Sequence, residues 1–355
     1  MTEFNYVPEV VYLELTTVYV ALVLKKAREW FMREHAKIYE GVDIYWHLNI
    51  GMPVKNFDEK EIKENFQRMA IGAWWLSMKE FPIILDQATG LKRLVSNKDF
   101  NPGVHRDYIN VVPEVAAQVA GYARSQLREE GLHMLVDIGA STMDTATFLL
   151  NKEQGDDRYV FMTARIERVG CLELHFRRLD IIEDYLEKWV KECKECFDIT
   201  SPIPRFPDGY HPELERLKDL DEEFLKDVCH PVRGTVALTK TNRDPNSEKW
   251  VEGLPIFLCG GGSQVEFYNP KMIKRVEEEL TKNFKWNGFR QSTIPKPENL
   301  KAESLHSRDY HRLSVAYGLS FPIDDIGKIV PPSEVDDIKK QPRVREYEFI
   351  SKDQV

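Results

Sequence analysis

The chain has 355 residues, of which 42% are hydrophobic and 30% are charged, and its formal net charge is −9. This composition is typical of a globular protein long enough for about two domains. The acidic balance argues against nucleic acid or an acidic membrane surface as the main partner.

The apolar runs and the cysteines are evidence on the cellular compartment of the protein. The best apolar run, residues 18–24, falls well short of the ~20 residues that a membrane span needs. The five cysteines are odd in number and are not spaced like a disulfide framework. Free thiols are typical of a reducing compartment, so we expect a cytoplasmic protein with no membrane partner.

The N-terminal segment of the chain has the periodicity of a helix. Apolar residues recur at helical spacing after Pro8, which predicts a long helix that ends at about His35. A strand is expected over residues 43–50. Asp58, with Glu61 three residues later, resembles a capping box and predicts the start of a second helix.

Residues 133–149, HMLVDIGASTMDTATFL, predict a strand, a tight turn and a second strand. Gly139 has no Cβ, so the backbone of this turn can approach an anion and present its N–H groups to it. Asp137 can hold magnesium through water, and Thr142 offers a hydroxyl. These features suit a phosphate group; an ordinary hairpin with a polar turn is the alternative.

Further elements are expected on both sides of this hairpin. Pro113 begins a segment with a small-residue face, which predicts a buried helix. A third strand is expected over residues 159–165, and a helix over residues 172–191. Residues 193–250 change in character, with several prolines and much charge. They are interpreted as an inserted subdomain in which residues 217–226 form an exposed helix.

A second glycine-rich turn follows a predicted strand. The apolar residues 256–258 run directly into three glycines at 260–262. Bare backbone after a buried strand provides a flat surface for a planar group. A turn shaped only by packing is the alternative. A short helix is expected over residues 312–321, and an extended tail over residues 322–355.

In this order, the segments resemble the ATPase domain of the actin-like superfamily, most closely its seventy-kilodalton heat-shock branch. Residues 137–144, DIGASTMD, resemble the second phosphate motif of that family, Asp-x-Gly-x-x-Thr-x-Asp. Residues 260–263 resemble its adenosine motif, in which a hydrophobic strand ends in Gly-Gly-Ser. Residues 315–318, VAYG, match its second connecting helix, and the helix after Pro113 resembles the first. Each motif is weak alone, but their shared order is specific.

The resemblance implies a two-lobed α/β fold of the actin-like, ribonuclease H-like class. Residues 1–127 would form an incomplete N-terminal lobe that ends in the first connecting helix, and residues 128–321 the C-terminal lobe. ATP or ADP would lie with Mg²⁺ between the lobes, so the two turns are expected to face one cleft. Besides the nucleotide, the expected partners are another protein or further copies of this chain.

The resemblance also implies which residues form the site. Asp137 would hold the magnesium ion and would contribute to catalysis together with Glu114. The two turns would bind the nucleotide, the first at the phosphates and the second at the adenosine. The residues concerned are Gly139, Ala140, Ser141, Thr142 and Asp144 in the first turn, and Gly260, Gly261, Gly262 and Ser263 in the second.

Two departures from the family pattern affect the expected activity. No first phosphate motif precedes Pro8, so the chain is interpreted as a truncation or as part of a split gene. Val112 occupies the position of the family's catalytic glutamate, and Glu114 is the nearest carboxylate. We therefore expect little or no ATP hydrolysis by this chain alone. The rival interpretation is a nucleotide-dependent switch or filament-forming protein that does not hydrolyse ATP. A sugar or metabolite kinase is disfavoured because no substrate-binding signature is visible.

Cysteines in the central region raise the question of zinc. Cys193, Cys196 and Cys229, together with His230, offer the thiolates and imidazole of a tetrahedral site. However, Cys193 and Cys196 lie in a charged segment that reads as a helix end, where two cysteines one turn apart need no metal. The pattern favours this second interpretation.

Overall fold

The computed structural model describes residues 9–80, 105–178, 212–302 and 305–338, together with the isolated positions 82, 83, 91, 95, 97, 100, 101, 103, 180 and 181. Within these ranges the protein is of the α/β class, with helices packed on both faces of a mixed sheet. No helix in the described ranges is both long and apolar enough to cross a bilayer.

The N-terminal part combines helices with a small sheet. Its elements are α1 (Glu9–His35), β1 (Leu48–Met52), α2 (Val54–Phe57), α3 (Lys60–Ser77), β2 (Ile109–Pro113) and α4 (Glu114–Ala123). β1 and β2 pair in parallel. Small and branched side chains, among them Ala21, Ala70 and Ile71, pack α1 against α3. This packing places the end of β1 and the start of α4 side by side.

The main sheet, as far as the chain is described, has six strands in the order β7-β6-β3-β4-β5-β8. They are β3 (Gly131–Ile138), β4 (Met143–Glu153), β5 (Asp156–Glu167), β6 (Leu254–Cys259), β7 (Phe289–Ser292) and β8 (Lys328–Val330). The first three form an antiparallel meander. β6 runs parallel to β3, β7 parallel to β6, and β8 parallel to β5. The carboxyl ends of β3 and β6 are therefore neighbours.

Helices cover the two faces of this sheet. Residues 171–178 are helical (α5), and the later helices are α6 (Pro212–Leu238), α7 (Lys249–Glu252), α8 (Ile273–Thr281), α9 (Ser314–Leu319) and α10 (Ile323–Ile326). Side chains alternate along β3: Met134 and Val136 pack towards α6 and α8, whereas Leu135 packs towards α4. This alternation follows from the two-residue period of a strand.

The two helices that resemble connecting helices cross at unusually short range. A Cβ on Gly318 of α9 would overlap the backbone of Ala117 in α4. Two residues before the end of α4, a Cβ on Gly121 would lie 3.1 Å from the Tyr310 hydroxyl. The small-residue faces expected from the sequence therefore serve to bring two backbones into contact.

Several expectations are confirmed. The first helix ends at His35, and the predicted strand, turn and strand are β3 and β4. The third strand, the helix after Pro113 and the strand before the glycines are also present. The predicted helix over residues 172–191 is helical up to residue 178 and at 180 and 181, and the rest lies outside the described residues.

Other expectations are wrong in detail. The capping box is absent, because α3 begins at Lys60 with Glu59 as its N-cap residue, and neither supplies a side-chain cap. Asp58 instead accepts a hydrogen bond from the N–H of Ser333 at 3.1 Å. The strand expected over residues 43–50 is shifted, since β1 begins only at Leu48.

The helix predicted over residues 217–226 exists, but it is not simply exposed. It belongs to the 27-residue helix α6, whose side chains at Leu217, Phe224 and Val228 are fully buried. Phe224 and Val228 join the same core as β3 and β6. Most charged residues of this segment occupy the opposite face, but Asp221 is buried and pairs with Arg178 at 2.6 Å. The described part of the expected inserted subdomain therefore packs directly on the main sheet.

The tail is not extended throughout. α10 and β8 follow Pro322, and β8 adds a strand to the sheet beside β5. The side chain of Ile326, at the end of α10, is fully buried in the core that contains Val119 of α4 and Tyr159 of β5. The sequence prediction failed here because a three-residue strand within a charged segment gives no periodic signal; residues 339–355 lie outside the described ranges.

Candidate functional site

The turn between β3 and β4 is tied to the protein by its carbonyl groups. The Thr142 carbonyl accepts the N–H of Gly139 at 2.9 Å. The three carbonyls before it accept N–H groups at the start of α5: Gly139 from Cys171 at 3.1 Å, Ala140 from Leu172 at 2.7 Å and Ser141 from Gly170 at 3.2 Å. Within the described ranges, the N–H groups of residues 140–142 make no backbone hydrogen bond. Consecutive N–H groups of this kind form a concave site for an anion.

The glycine that this geometry requires is Gly170. A Cβ there would overlap the backbone of Ala140, whereas a Cβ on Gly139 would only touch the Thr142 carbonyl oxygen, at 3.2 Å. Sequence reasoning assigned the close approach to Gly139 and missed Gly170. The signal was present, since a glycine that follows a third strand and opens a helix marks a tight backbone approach.

The glycine-rich turn lies directly against the end of β3. Asp137 and Cys259 are paired in register between β3 and β6. A Cβ on Gly260, whose φ is +73°, would overlap the Asp137 carboxylate, and a Cβ on Gly262 would lie 2.6 Å from the Cys171 sulfur. Gly261 has nothing within 4 Å of such a Cβ. The two turns are therefore brought together as expected, and packing explains two of the three glycines.

Two of the three side-chain hydroxyls in the two turns are already hydrogen-bonded within the protein, whereas Ser141 is exposed. Ser263 is buried, and its hydroxyl donates to the Gly260 carbonyl at 2.8 Å. Thr142 donates to the Asp144 carboxylate at a long 3.4 Å. Neither hydroxyl is therefore free to bind a ligand in this conformation, and the turns offer mainly backbone groups.

Three carboxylates lie around one small pocket, here called the acidic pocket. Glu114 at the start of α4, Asp137 at the end of β3 and Asp144 at the start of β4 line it. Lys55, Gln118 and Arg165 also line it, and its volume is about 10 Å³. A space of this size holds about one water molecule.

The carboxylates raise one another's proton affinity. Burial, together with the negative charges of Asp137 and Asp144, raises the pKa of Glu114 to about 7. Burial and the charge of Asp137 raise the pKa of Asp144 to about 6. Burial also raises the pKa of Asp137, against the opposing effects of a hydrogen bond from Gln118 and the charge of His311. Groups shifted in this way are common at functional sites.

The position of Glu114 is fixed by the end of β1. A Cβ on Gly51 would lie 2.6 Å from Cγ of Glu114, so only glycine leaves room for this side chain. Val112, which stands where the resembled family has its catalytic glutamate, is fully buried in β2. The structure thus places Glu114, and not position 112, beside Asp137.

Gln118 is a site residue that sequence reasoning missed. It lies one helical turn after Glu114 on α4, is 1% exposed, and its Nε2 donates to Oδ2 of Asp137 at 3.0 Å. Its Oε1 is buried without a hydrogen-bond partner in the described part of the chain. The i, i+4 spacing from Glu114 was the available signal, because such residues share one helix face.

A larger cavity, here called the neutral cleft, opens at the carboxyl ends of β6 and β7. Its volume is about 260 Å³. Amide, hydroxyl and imidazole groups provide its polar lining: Gln264, Asn269, Gln291, Ser292, Thr293, Tyr310 and His311. The cleft adjoins the acidic pocket, because Cys259 lines it and pairs with Asp137. The carboxyl ends of parallel strands are common ligand sites in α/β proteins.

The residues present fit magnesium better than zinc. No group of three His, Cys, Asp or Glu side chains in the described residues is arranged to hold a metal directly. Magnesium tolerates this because it keeps several waters and needs only one or two carboxylates. Asp137 suits such an ion through water, but the acidic pocket, at about 10 Å³, accommodates about one water and not the ion with its shell.

For zinc, Cys193 and Cys196 lie outside the described residues, so that prediction stays untested there. The third expected ligand is unfavourable, since burial raises the pKa of the Cys229 thiol to about 12 and so opposes the thiolate. The neighbouring His230 is exposed while Cys229 is buried, so the two side chains point apart.

Comparison with known proteins adds no assignment. No protein-family model matches the chain, and no curated protein matches its sequence.

Proposed function

We propose that this chain binds an adenine nucleotide, ATP or ADP, together with Mg²⁺, and that its fold is of the actin-like, ribonuclease H-like class. The observation that carries this proposal is the meeting of the two turns at Asp137. One turn offers unpaired backbone N–H groups at residues 140–142, and the other offers bare backbone at Gly261. They lie on either side of one carboxylate.

The strand order supports the fold assignment. An antiparallel meander, β3-β4-β5, extended on the side of β3 by two parallel strands, is the sheet arrangement of ribonuclease H-like folds. The close crossing of α4 and α9 also suits the two connecting helices of the actin-like family. Fold supports function only by analogy, so the site itself must carry the chemistry.

The chemistry of the site divides between the two cavities. The phosphates would meet the N–H groups of residues 140–142. The base and ribose would lie in the neutral cleft, which is lined by Cys259 and Gln264 on either side of the glycine turn. The three carboxylates outnumber the two cations of the same lining, Lys55 and Arg165, so a polyphosphate there would need a further cation. Magnesium, held by Asp137 through water, would neutralise the phosphate charge when bound.

Glu114 bears on whether the nucleotide is hydrolysed. Its pKa of about 7 suits a group that accepts a proton from water at neutral pH. If the chain hydrolyses ATP, which its sequence alone does not lead us to expect, Glu114 is the group that would orient the attacking water. The alternative is a nucleotide-dependent switch or assembly protein, in which the same site binds nucleotide and a protein partner or further copies of the chain read out the bound state.

Calorimetry with ADP, with and without Mg²⁺, tests the proposal. We expect saturable binding that Mg²⁺ strengthens, and we expect Asp137→Ala to remove about 10- to 100-fold of the Mg²⁺-dependent affinity. Asp156→Ala is the matched control, because Asp156 is exposed at the far end of the β4–β5 hairpin. If the wild-type chain does not bind ADP at millimolar concentration, the proposal fails.

A further inference from the structure

The outer face of α1 is apolar and exposed. Of the 17 large hydrophobic side chains that are exposed in the described ranges, ten lie between residues 15 and 45. Tyr19 is 68% exposed and Trp30 is 52% exposed. The opposite face of the helix packs on α3 through Ala21 and its neighbours. An apolar surface concentrated in this way is typical of a contact with another macromolecule.

The spacing of this face is that of a helix that pairs with another helix. Six exposed residues follow the alternating three- and four-residue intervals of a coiled-coil seam: Leu15, Tyr19, Leu22, Lys26, Glu29 and Arg33. The first half of this stripe is apolar, and the second half is charged. Val23 and Trp30 flank the stripe on one side. The stripe therefore suits packing against a second helix.

The charges of the stripe determine which helix fits it. Lys26 and Glu29 are exposed, and the ion pair of α1 in the described ranges joins two other residues, Arg33 and Glu34. A parallel copy of α1 would place like charges opposite each other, which is unfavourable. An antiparallel copy, with a two-fold axis between Lys26 and Glu29, would place Lys26 of each copy opposite Glu29 of the other. The stripe is therefore complementary to itself in the antiparallel direction.

The same register brings the exposed apolar groups together. With the axis at this position, Val23 of one copy lies beside Trp30 of the other. Leu15 and Tyr19 extend past the end of the other α1 and lie along the segment that follows it. That segment also exposes apolar side chains, at Ile38, Val42 and Tyr45. One register thus satisfies both the charged and the apolar parts of the surface.

We propose that two copies of this chain associate through α1, which pairs antiparallel with its counterpart and exchanges Lys26–Glu29 ion pairs across a two-fold axis. The inference rests on α1 and residues 38–45 and is independent of the nucleotide site. A two-fold contact is closed, so it gives a dimer and not a filament. Because each copy has a net charge of −9, we expect a weak dimer, with a Kd on the order of 10 μM at physiological salt.

Sedimentation equilibrium over about 1 to 200 μM tests this inference. We expect the average mass of the wild-type chain to rise from 41.5 kDa towards twice that value. Lys26→Glu places like charges opposite each other twice, so the Kd should rise by at least about tenfold. In the double variant, Lys26→Glu with Glu29→Lys, the charges are exchanged across the axis, so the Kd should return to within about threefold of wild type.

Lys274→Glu is the matched control, because it changes the net charge by the same amount at an exposed position on α8. It should leave the Kd within about twofold. Thermal unfolding checks that each variant is folded; if Lys26→Glu is not, Glu29→Lys takes its place.

A wild-type chain that stays at 41.5 kDa over this range would overturn the inference. So would a dimer that Lys26→Glu weakens no more than Lys274→Glu does, since the contact would then lie elsewhere. If the double variant associates no better than Lys26→Glu alone, the antiparallel register is wrong and the inference fails with it.

Discussion

The acidic pocket and the neutral cleft meet at the end of β3 but differ in size and in chemistry. The acidic pocket measures about 10 Å³ and is lined by three carboxylates. The neutral cleft measures about 260 Å³ and is lined by amides, hydroxyls, an imidazole and apolar side chains. A nucleotide has the same two parts, a charged one that needs a cation and a neutral one that needs hydrogen bonds and apolar contact.

The comparison shows how one strand end can serve both cavities. Asp137 belongs to the acidic pocket, while its register partner Cys259 lines the neutral cleft. The end of β3 is thus the wall that the two cavities share, and Ile138, next along the strand, is buried against Gly262 behind it. Changes at this shared wall should therefore affect both cavities, whereas changes within either cavity should affect only one.

The largest effect is expected at the shared wall. In Gly262→Ala the new Cβ would overlap the Ile138 side chain and lie 2.6 Å from the Cys171 sulfur. Ile138 is fully buried and cannot move aside, so the free energy of unfolding should fall by about 3 kcal/mol. Gly261→Ala, with nothing within 4 Å of the new Cβ, should stay within about 0.5 kcal/mol. Chemical denaturation measures both; equal stability of the two variants would contradict the described packing.

The next effect isolates the acidic pocket through pH. Because the pKa of Glu114 rises from 4.5 to about 7 on folding, its contribution to stability is greatest below pH 4.5 and is lost as the pH rises through 7. The glutamine side chain of the Glu114→Gln variant cannot ionise, so the variant does not lose this stability as the pH rises. In Mg²⁺-free buffer the variant should be more stable than wild type at pH 8, by on the order of 2 kcal/mol, with a smaller difference near pH 5.

Exposed Glu61→Gln is the control for the loss of one negative charge. Thermal unfolding across this pH range measures the difference. A Glu114→Gln curve that runs parallel to that of wild type would contradict the raised pKa of Glu114 in the folded protein.

The smallest expected effect isolates the glycine turn, which lies between Cys259 and Gln264 of the neutral cleft. Gly261→Val places a branched side chain in open space, so the fold should be unaffected. If the adenosine lies on this backbone, ADP should bind about tenfold more weakly, which corresponds to about 1.4 kcal/mol. The loss should be the same with and without Mg²⁺, as calorimetry can measure. Equal affinity of wild type and variant would mean that the glycines serve packing alone.

The sequence predicted those parts of the fold that depend on local pattern. Buried strands such as residues 256–258 and the small-residue helix after Pro113 have signals within their own segments. The adjacency of the two turns followed from the resemblance rather than from spacing. Gly260, which packs against Asp137, is one of the residues that make this adjacency possible. The sequence singled it out as a nucleotide-binding residue, and the structure shows that it is also needed for packing.

What could not be predicted depends on distant partners. Gln118 matters because Asp137 lies on a different element, and Gly170 because the hairpin turn rests on it. The expected capping box failed because Asp58 bonds to Ser333, 275 residues away. β8 forms because the edge of β5 offers it hydrogen bonds, which is a property of the sheet and not of the segment.

The crossing of α4 and α9 has a mechanical consequence. Gly318 contacts the backbone of Ala117 directly, with no side chain between the two helices at this point. Neither helix can slide along the other there without a steric collision, so their displacements are locked together. The next residue on α4 is Gln118, whose amide holds Asp137. Any force that shifts α9 is thus transmitted through two backbones to the end of β3, and a ligand bound there would stiffen α9 in return.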